Sequence, residues 1–222
     1  MFGASYASAI YITRVLSLPA NKRKVFVVGE AGIEAELAAE GIVHLGGTDP
    51  AFQQEFSPQH TAGLVDGSAL DPEVGVVLCG LDFHMSYLKL ATAYRYVRAG
   101  ALFLSTNPDK TFTMSHQAFP AAGACTASLS YALGGQQPLL MGKPSQAMME
   151  SVQGKYGFDK ARTCMVGDSL DTDIRFGNEG GLAGTLHVLS GVSKREDWER
   201  QGAPVVPKYF ANSMADLGNG EQ

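Results

Sequence analysis

Met165-Val166-Gly167-Asp168-Ser169-Leu170-Asp171-Thr172-Asp173-Ile174 is the stretch on which the reading of this chain turns. The short apolar run Thr163-Cys164-Met165-Val166 predicts a buried strand, and Gly167 ends it. Asp168 then projects from the carboxyl end of that strand, with Asp171 and Asp173 following within one helical turn. Three carboxylates at a strand exit repel one another unless a cation or hydrogen-bond donors offset them. Hard oxygen ligands with positions left open to water suit Mg²⁺. A plainer account is that Asp171 and Asp173 favour the positive amino-terminal end of a helix. For Asp171 the two accounts are evenly matched. For Asp168, directly behind an apolar strand and a glycine, metal chemistry is the better account.

Upstream, Leu140-Met141-Gly142-Lys143-Pro144-Ser145 repeats the design with the opposite charge. Leu139 to Met141 reads as a strand, Lys143 leaves it, and Pro144 suits the first turn of a helix running to Tyr156. An ammonium there can offset the charge of a phosphoryl group and of nearby carboxylates. A lone lysine at such a junction is usually solvated. Lys143 gains weight because its strand and that of Asp168 are expected to be successive strands of one βαβ unit.

The alternation extends through the chain. Strands are expected at Lys24 to Gly29, Val74 to Cys79, Ala101 to Leu104 and Gly184 to Leu189. Helices are expected at Ser5 to Leu18, Ala31 to Glu40, His84 to Ala99, Ala121 to Leu133, Leu170 to Asn178 and Ser193 to Gln201. The apolar face of the helix from His84 is expected to use Tyr87, Leu88, Ala91 and Tyr94. Glu55 to Pro72 and Asn107 to Pro120 read as loops. This order predicts an α/β fold with a mainly parallel sheet, whose ligands gather at the carboxyl ends of strands. The polar stretch Gly134-Gly135-Gln136-Gln137-Pro138 is the best boundary, giving units 1–136 and 137–222.

Composition narrows the function. With 45% hydrophobic and 18% charged residues the chain has a globular profile. Its net charge of -5 argues against nucleic acid as a general partner, since phosphate-backbone binding rests on dense Lys and Arg. No run reaches the roughly 18 apolar residues that span a bilayer, and the first residues lack a signal-peptide pattern. A cytoplasmic protein without membrane partners is expected. Cys79, Cys125 and Cys164 lie far apart in apolar runs, a spacing that fits neither zinc nor a disulfide framework, so buried reduced thiols are expected.

Gly142-Lys143-Pro144-Ser145 followed by Gly167-Asp168-Ser169-Leu170-Asp171-Thr172-Asp173-Ile174 resembles the third and fourth motifs of haloacid-dehalogenase (HAD)-like phosphatases. Other passages are similar to the p-nitrophenylphosphatase, phosphoglycolate phosphatase and pyridoxal phosphate phosphatase subgroup. They include Phe2-Gly3-Ala4-Ser5-Tyr6-Ala7, Val28-Gly29-Glu30-Ala31-Gly32-Ile33, Leu45-Gly46-Gly47-Thr48-Asp49-Pro50, Cys79-Gly80-Leu81-Asp82 and Ser105-Thr106-Asn107-Pro108-Asp109. The likeness runs in order through essentially the whole chain.

The resemblance implies a Mg²⁺-dependent phosphatase acting on small phosphomonoesters. An Asp carboxylate would attack phosphorus to form an aspartyl-phosphate that water then hydrolyses, dividing one hard displacement into two easier ones. Carried over, Lys143 is the catalytic lysine that helps hold the intermediate, Asp168 the direct metal ligand, and Asp173 the residue that orients the metal shell. Residues 1–136 become an α/β cap over the active site, whose substrate-facing loop would bring Asn107, Asp109 and His116 to the organic part of the substrate. Residues 137–222 become the carboxyl-terminal half of a Rossmann-like catalytic core. The resemblance also permits a homodimer through the cap.

One departure matters. The family's nucleophile lies in a strand followed by Asp-x-Asp-Gly, and no such sequence occurs in these 222 residues. The expectation is therefore a chain that lacks the nucleophile segment, is inactive alone, and exposes apolar surface at the strands near Leu139 and Cys164. The competing expectation is a non-catalytic, cap-type module that dimerises or binds a metabolite.

Overall fold

The computed structural model describes residues 2–218. It divides into two compact units, Met1–Gly142 and Lys143–Gln222. The first opens with helix α1 (Ala4–Ile10), which runs into a π-helical turn at Tyr11–Val15. It continues through β1 (Lys24–Val28), α2 (Ala31–Ala39), β2 (His44–Gly46), α3 (Pro58–Asp66), β3 (Val74–Cys79), α4 (Tyr87–Arg98) and β4 (Leu102–Ser105). The hairpin β5 (Thr111–Met114) and β6 (Gln117–Pro120), α5 (Ala122–Ala132) and β7 (Leu139–Leu140) complete it.

Five strands make one parallel sheet in the order β2-β1-β3-β4-β7. All six residues of β3 are buried, as a strand covered on both faces requires. Phe26, Val77 and Phe103 from the sheet pack with Tyr96 and Val97 of α4 and Leu129 of α5 to form the core.

The second unit holds α6 (Gln146–Tyr156), β8 (Cys164–Gly167), α7 (Arg175–Glu179), β9 (Gly184–Val188), α8 (Arg195–Glu199) and β10 (Tyr209–Ala211). Its three strands are parallel in the order β10-β9-β8. Leu170, Ile174 and Val205 form a small core against Trp198. Among the described residues no helix is long and apolar enough to cross a membrane.

Several expectations need correction. Residues 55–72 are not simply loop, for they contain α3, whose start is set by the Ser57 cap and Pro58 in the first turn. Residues 107–120 include the β5–β6 hairpin, turned by Ser115 and His116, both with positive φ. Such two-residue turns usually carry Asn or Gly, so Ser-His gave no signal. The buried face of α4 uses Leu88, Lys89, Thr92, Ala93, Tyr96 and Val97, while Tyr87 is exposed. The polar members of that face are satisfied internally, which hydrophobicity alone cannot foresee.

Of the cysteines, Cys79 is buried, Cys125 half-buried and Cys164 exposed. Burial pushes the Cys79 and Cys125 thiols upward, away from reactive thiolate. Finally, Leu139–Leu140 pairs with β4, and the division between units falls after Gly142. The strands that precede Lys143 and Asp168 therefore belong to separate sheets, not to one βαβ unit.

Candidate active site

In the second unit the acidic motif closes on itself. Asp173 is nearly buried and uses both carboxylate oxygens. Its Oδ1 accepts from the Lys143 ammonium at 2.7 Å, and its Oδ2 accepts from the backbone N–H groups of Asp168 and Ser169 at 3.2 and 3.3 Å. One side chain thus sets both the lysine and the backbone on which Asp168 stands. Gly167 permits this closeness, because a Cβ there would collide with the Asp173 carboxylate.

Asp168 is half-buried, just beyond β8. Its Oδ2 accepts from Val192 N–H at 2.9 Å, and its carbonyl accepts from Ser193 N–H at 3.0 Å. A Cβ on Gly191 would strike the same carboxylate, so glycine lets the 191–193 loop wrap around it. Oδ1 of Asp168 has no hydrogen bond among the described residues.

Asp171 goes elsewhere. Its side chain is 82% exposed and pairs with Arg175 one helical turn on, at 3.1 Å. The three carboxylates expected to converge are therefore two, and Asp171 is an ordinary solvated helix residue.

In the first unit, Asn107 lines a cleft of about 370 Å³ together with Ser5, Glu30, Ile33, Phe83 and Thr106. Asp109 is exposed, and its N–H donates to Asn107 Oδ1 at 3.2 Å. His116 sits on the hairpin turn and, like Asp109, is not part of that cleft's lining. Beside the cleft lies a group that sequence reasoning missed. Asp82 and Lys89 form an ion pair at 2.7 Å with both side chains fully buried, and Glu30 accepts from His84 Nδ1 at 3.0 Å.

Burial works to raise the Glu30 carboxyl, but Phe83 N–H and the His84 and Lys89 side chains outweigh it and hold the group below the ordinary glutamate range. Ligand atoms of Glu30, Asp82 and His84 lie within 4.8 Å of one another. The Lys89 ammonium already supplies the cation there, touching Asp82 Oδ2 and the His84 carbonyl. That cluster is therefore structural.

Two further residues at the second-unit site, Val192 and Ser193, lie in the loop beyond the strand that starts at Gly184. Inspecting that loop could have found them, since parallel strands present ligand-facing loops at their carboxyl ends. His187, inside the strand, carried no such signal.

The donor set fits Mg²⁺. Asp168 offers one carboxylate oxygen, and a small octahedral cation held by one or two carboxylates completes its shell with water and substrate oxygens. Both oxygens of Asp173 accept hydrogen bonds, from the Lys143 ammonium and from the Asp168 and Ser169 N–H groups, so its contacts in this structure are those of a group that positions its neighbours.

Comparison with known proteins matches this half by a family model and the whole chain by individual relatives. The HAD-hydrolase-like family model matches residues 140–217, which include Lys143, Asp168 and Asp173. The chain is 44% identical over 218 residues to a 4-nitrophenylphosphatase of Schizosaccharomyces pombe, covering 98% of this chain and 71% of that one. It is 36% identical to phosphoglycolate phosphatase 2 of Arabidopsis thaliana, covering 98% and 70% respectively. A single-mutant thermostable NPPase from Geobacillus stearothermophilus superposes with a TM-score of 0.71 at 30% identity, over 97% of this chain and 72% of that structure. A likeness of this extent, through both units, establishes that the chain belongs to the HAD-like hydrolases, within the p-nitrophenylphosphatase and phosphoglycolate phosphatase subgroup.

Proposed function

We propose that the second unit supplies the lysine and the metal-binding half of a phosphatase site for small phosphomonoesters. The observation that carries this reading is the Asp173 carboxylate, which joins the Lys143 ammonium to the N–H groups of Asp168 and Ser169. Through that link a cation and a metal-binding carboxylate share one rigid support.

In this reading Lys143 offsets the negative charge of the phosphoryl group, and its fixed position means no reorganisation is needed as that charge moves. Asp168 would hold Mg²⁺ through Oδ1, and the bound ion would supply charge neutralisation at the phosphoryl oxygens and the attacking carboxylate. Asp173 acts by positioning, holding Lys143 and the Asp168 backbone while touching neither metal nor substrate. The 191–193 loop keeps the second Asp168 oxygen occupied, so that only one faces the ion.

The first unit is proposed to act as the cap, with Asn107 in its substrate-facing cleft. Asp109 and His116 are weaker contributors, since neither lines that cleft. The names of the relatives, 4-nitrophenylphosphatase and phosphoglycolate phosphatase, support a small phosphomonoester as the substrate class.

The nucleophile is proposed to lie outside these 222 residues, because they contain no Asp-x-Asp-Gly. With Mg²⁺ and p-nitrophenyl phosphate this chain is expected to show no turnover. Fusing an amino-terminal segment that carries a strand followed by Asp-x-Asp-Gly should create activity, and Asp168→Asn in the chimera should remove it. Robust turnover by the 222-residue chain alone would refute the assignment of the nucleophile to another segment. A chimera active regardless of Asp168 would refute the metal role.

A further inference from the structure

His187 is the largest polar group at the centre of the second unit that the proposed chemistry leaves unused. It lies on β9, fully buried, and the parallel register sets it opposite Gly167, the residue before Asp168. Its Nε2 is 3.2 Å from the carbonyl oxygen of Asp168. On the other side of the ring, Trp198 Nε1 is 3.2 Å from His187 Nδ1.

These two contacts determine the hydrogen on the ring. An indole N–H can only donate, so Nδ1 must accept and carries no hydrogen. The single ring N–H is then on Nε2, where a carbonyl oxygen, which can only accept, faces it. Donors and acceptors match along the whole line from Trp198 through His187 to Asp168. Trp198 is itself held, packed against Leu170, Ile174 and Val205 and tilted against Phe210 with ring centroids 5.4 Å apart.

The Asp168 carbonyl therefore receives two bonds, from Ser193 N–H and from His187. Its carboxylate receives a third, from Val192. A buried imidazole costs desolvation that an aliphatic residue would avoid, so its presence in a β-strand otherwise made of Gly184, Thr185, Leu186 and Val188 asks for a compensating role. Taking the phosphatase reading of Asp168 as its basis, we propose that His187 is a positioning residue for the metal ligand, fixing the Asp168 backbone so that Oδ1 points at the ion, and that Trp198 fixes the ring in the form that can do so.

The test is Mn²⁺ affinity of the 222-residue chain, measured by the loss of free-ion signal in electron paramagnetic resonance. Asp168→Asn should abolish specific binding. Outer-shell partners of metal ligands typically contribute about 10–100-fold to affinity, and His187→Leu, which leaves the Ser193 bond in place, should weaken binding about tenfold. His187→Gln should restore most of it, because its amide NH₂ can reach the carbonyl while its oxygen accepts from Trp198. Trp198→Phe keeps the aromatic packing but removes the donor, and should weaken binding by a smaller factor.

Failure of the metal site and failure of the positioning role are distinguishable. Mn²⁺ affinity that is absent, or indifferent to Asp168→Asn, overturns the metal site itself and the His187 role with it. Binding that requires Asp168 yet is unchanged in His187→Leu overturns only the positioning role. Should His187→Leu fail to fold, as circular dichroism would reveal, Trp198→Phe decides. Unaltered affinity in that variant sinks the proposal.

Discussion

Two lysine–aspartate pairs, one in each unit, have the same 2.7 Å separation and opposite surroundings. Lys89 and Asp82 are both sealed from solvent, close to the fully buried β3. Lys143 is 41% exposed, Asp173 is 8% exposed, and β8 beside them has no buried residue. Distance alone would make the pairs equivalent. Burial shows that they do different things. The Lys89 ammonium is taken up by internal acceptors and can meet no ligand, whereas that of Lys143 is held at one point and open at the others. A rigid cation with an exposed side is what a phosphoryl group can use; a rigid cation with none is part of the core.

Removing the buried partner should have the largest effect. Asp82→Asn would strand the Lys89 charge in the interior, and breaking such a pair from one side costs about 3–5 kcal/mol. Urea denaturation should show a loss of that order, and the double variant Asp82→Leu with Lys89→Met should recover most of it. A loss below about 1 kcal/mol, the range of exposed pairs, would mean that the first pair is not a structural element of the core.

Lys143→Ala should behave in the opposite sense. Because the Lys143 side chain is 41% exposed, solvent screens that end of the pair, and its loss should cost less stability than the loss of Asp82 does. In an active chimera its rate should nevertheless fall by orders of magnitude. An unchanged rate would remove Lys143 from the site and leave both pairs structural.

The smallest effect concerns pH. The folded Glu30 carboxyl is held below its ordinary range despite its burial, by Phe83 N–H and the His84 and Lys89 side chains. A group with a depressed folded value contributes stability above its unfolded pKa and loses that contribution as pH falls through the folded one. The stability of the first unit should therefore decline on acidification below the ordinary glutamate range, and Glu30→Gln should flatten that limb modestly. Identical urea midpoints for both proteins across the acid range would show that Glu30 contributes nothing there.

Much of the fold was legible because strand and helix periods differ. The apolar runs Lys24–Val28 and Val74–Cys79 are too short for helices and too continuous for half-exposed strands, and both form the centre of the parallel sheet. The α3 helix and the β5–β6 hairpin escaped notice because their signals were weak: a serine-proline start for one, a Ser-His turn without glycine for the other. The face of α4 was misjudged because Lys89 and Thr92 look like solvent residues until their partners, Asp82 and the Leu88 carbonyl, are known.

The site divides along the same line. Local sequence was enough to determine that Lys143 and Asp168 each follow a short apolar strand and begin a helix or turn, since strand exits depend only on residues a few positions away. It could not determine that Asp171 turns out to Arg175 while Asp173 turns in to Lys143, nor that Val192, Ser193 and His187 close around Asp168. The contacts of Asp168 and Asp173 with Lys143, His187 and Val192 join residues 19 to 30 positions apart. Whether a polar atom is free or engaged depends on what the folded chain brings to it, and that is decided only when distant segments pack.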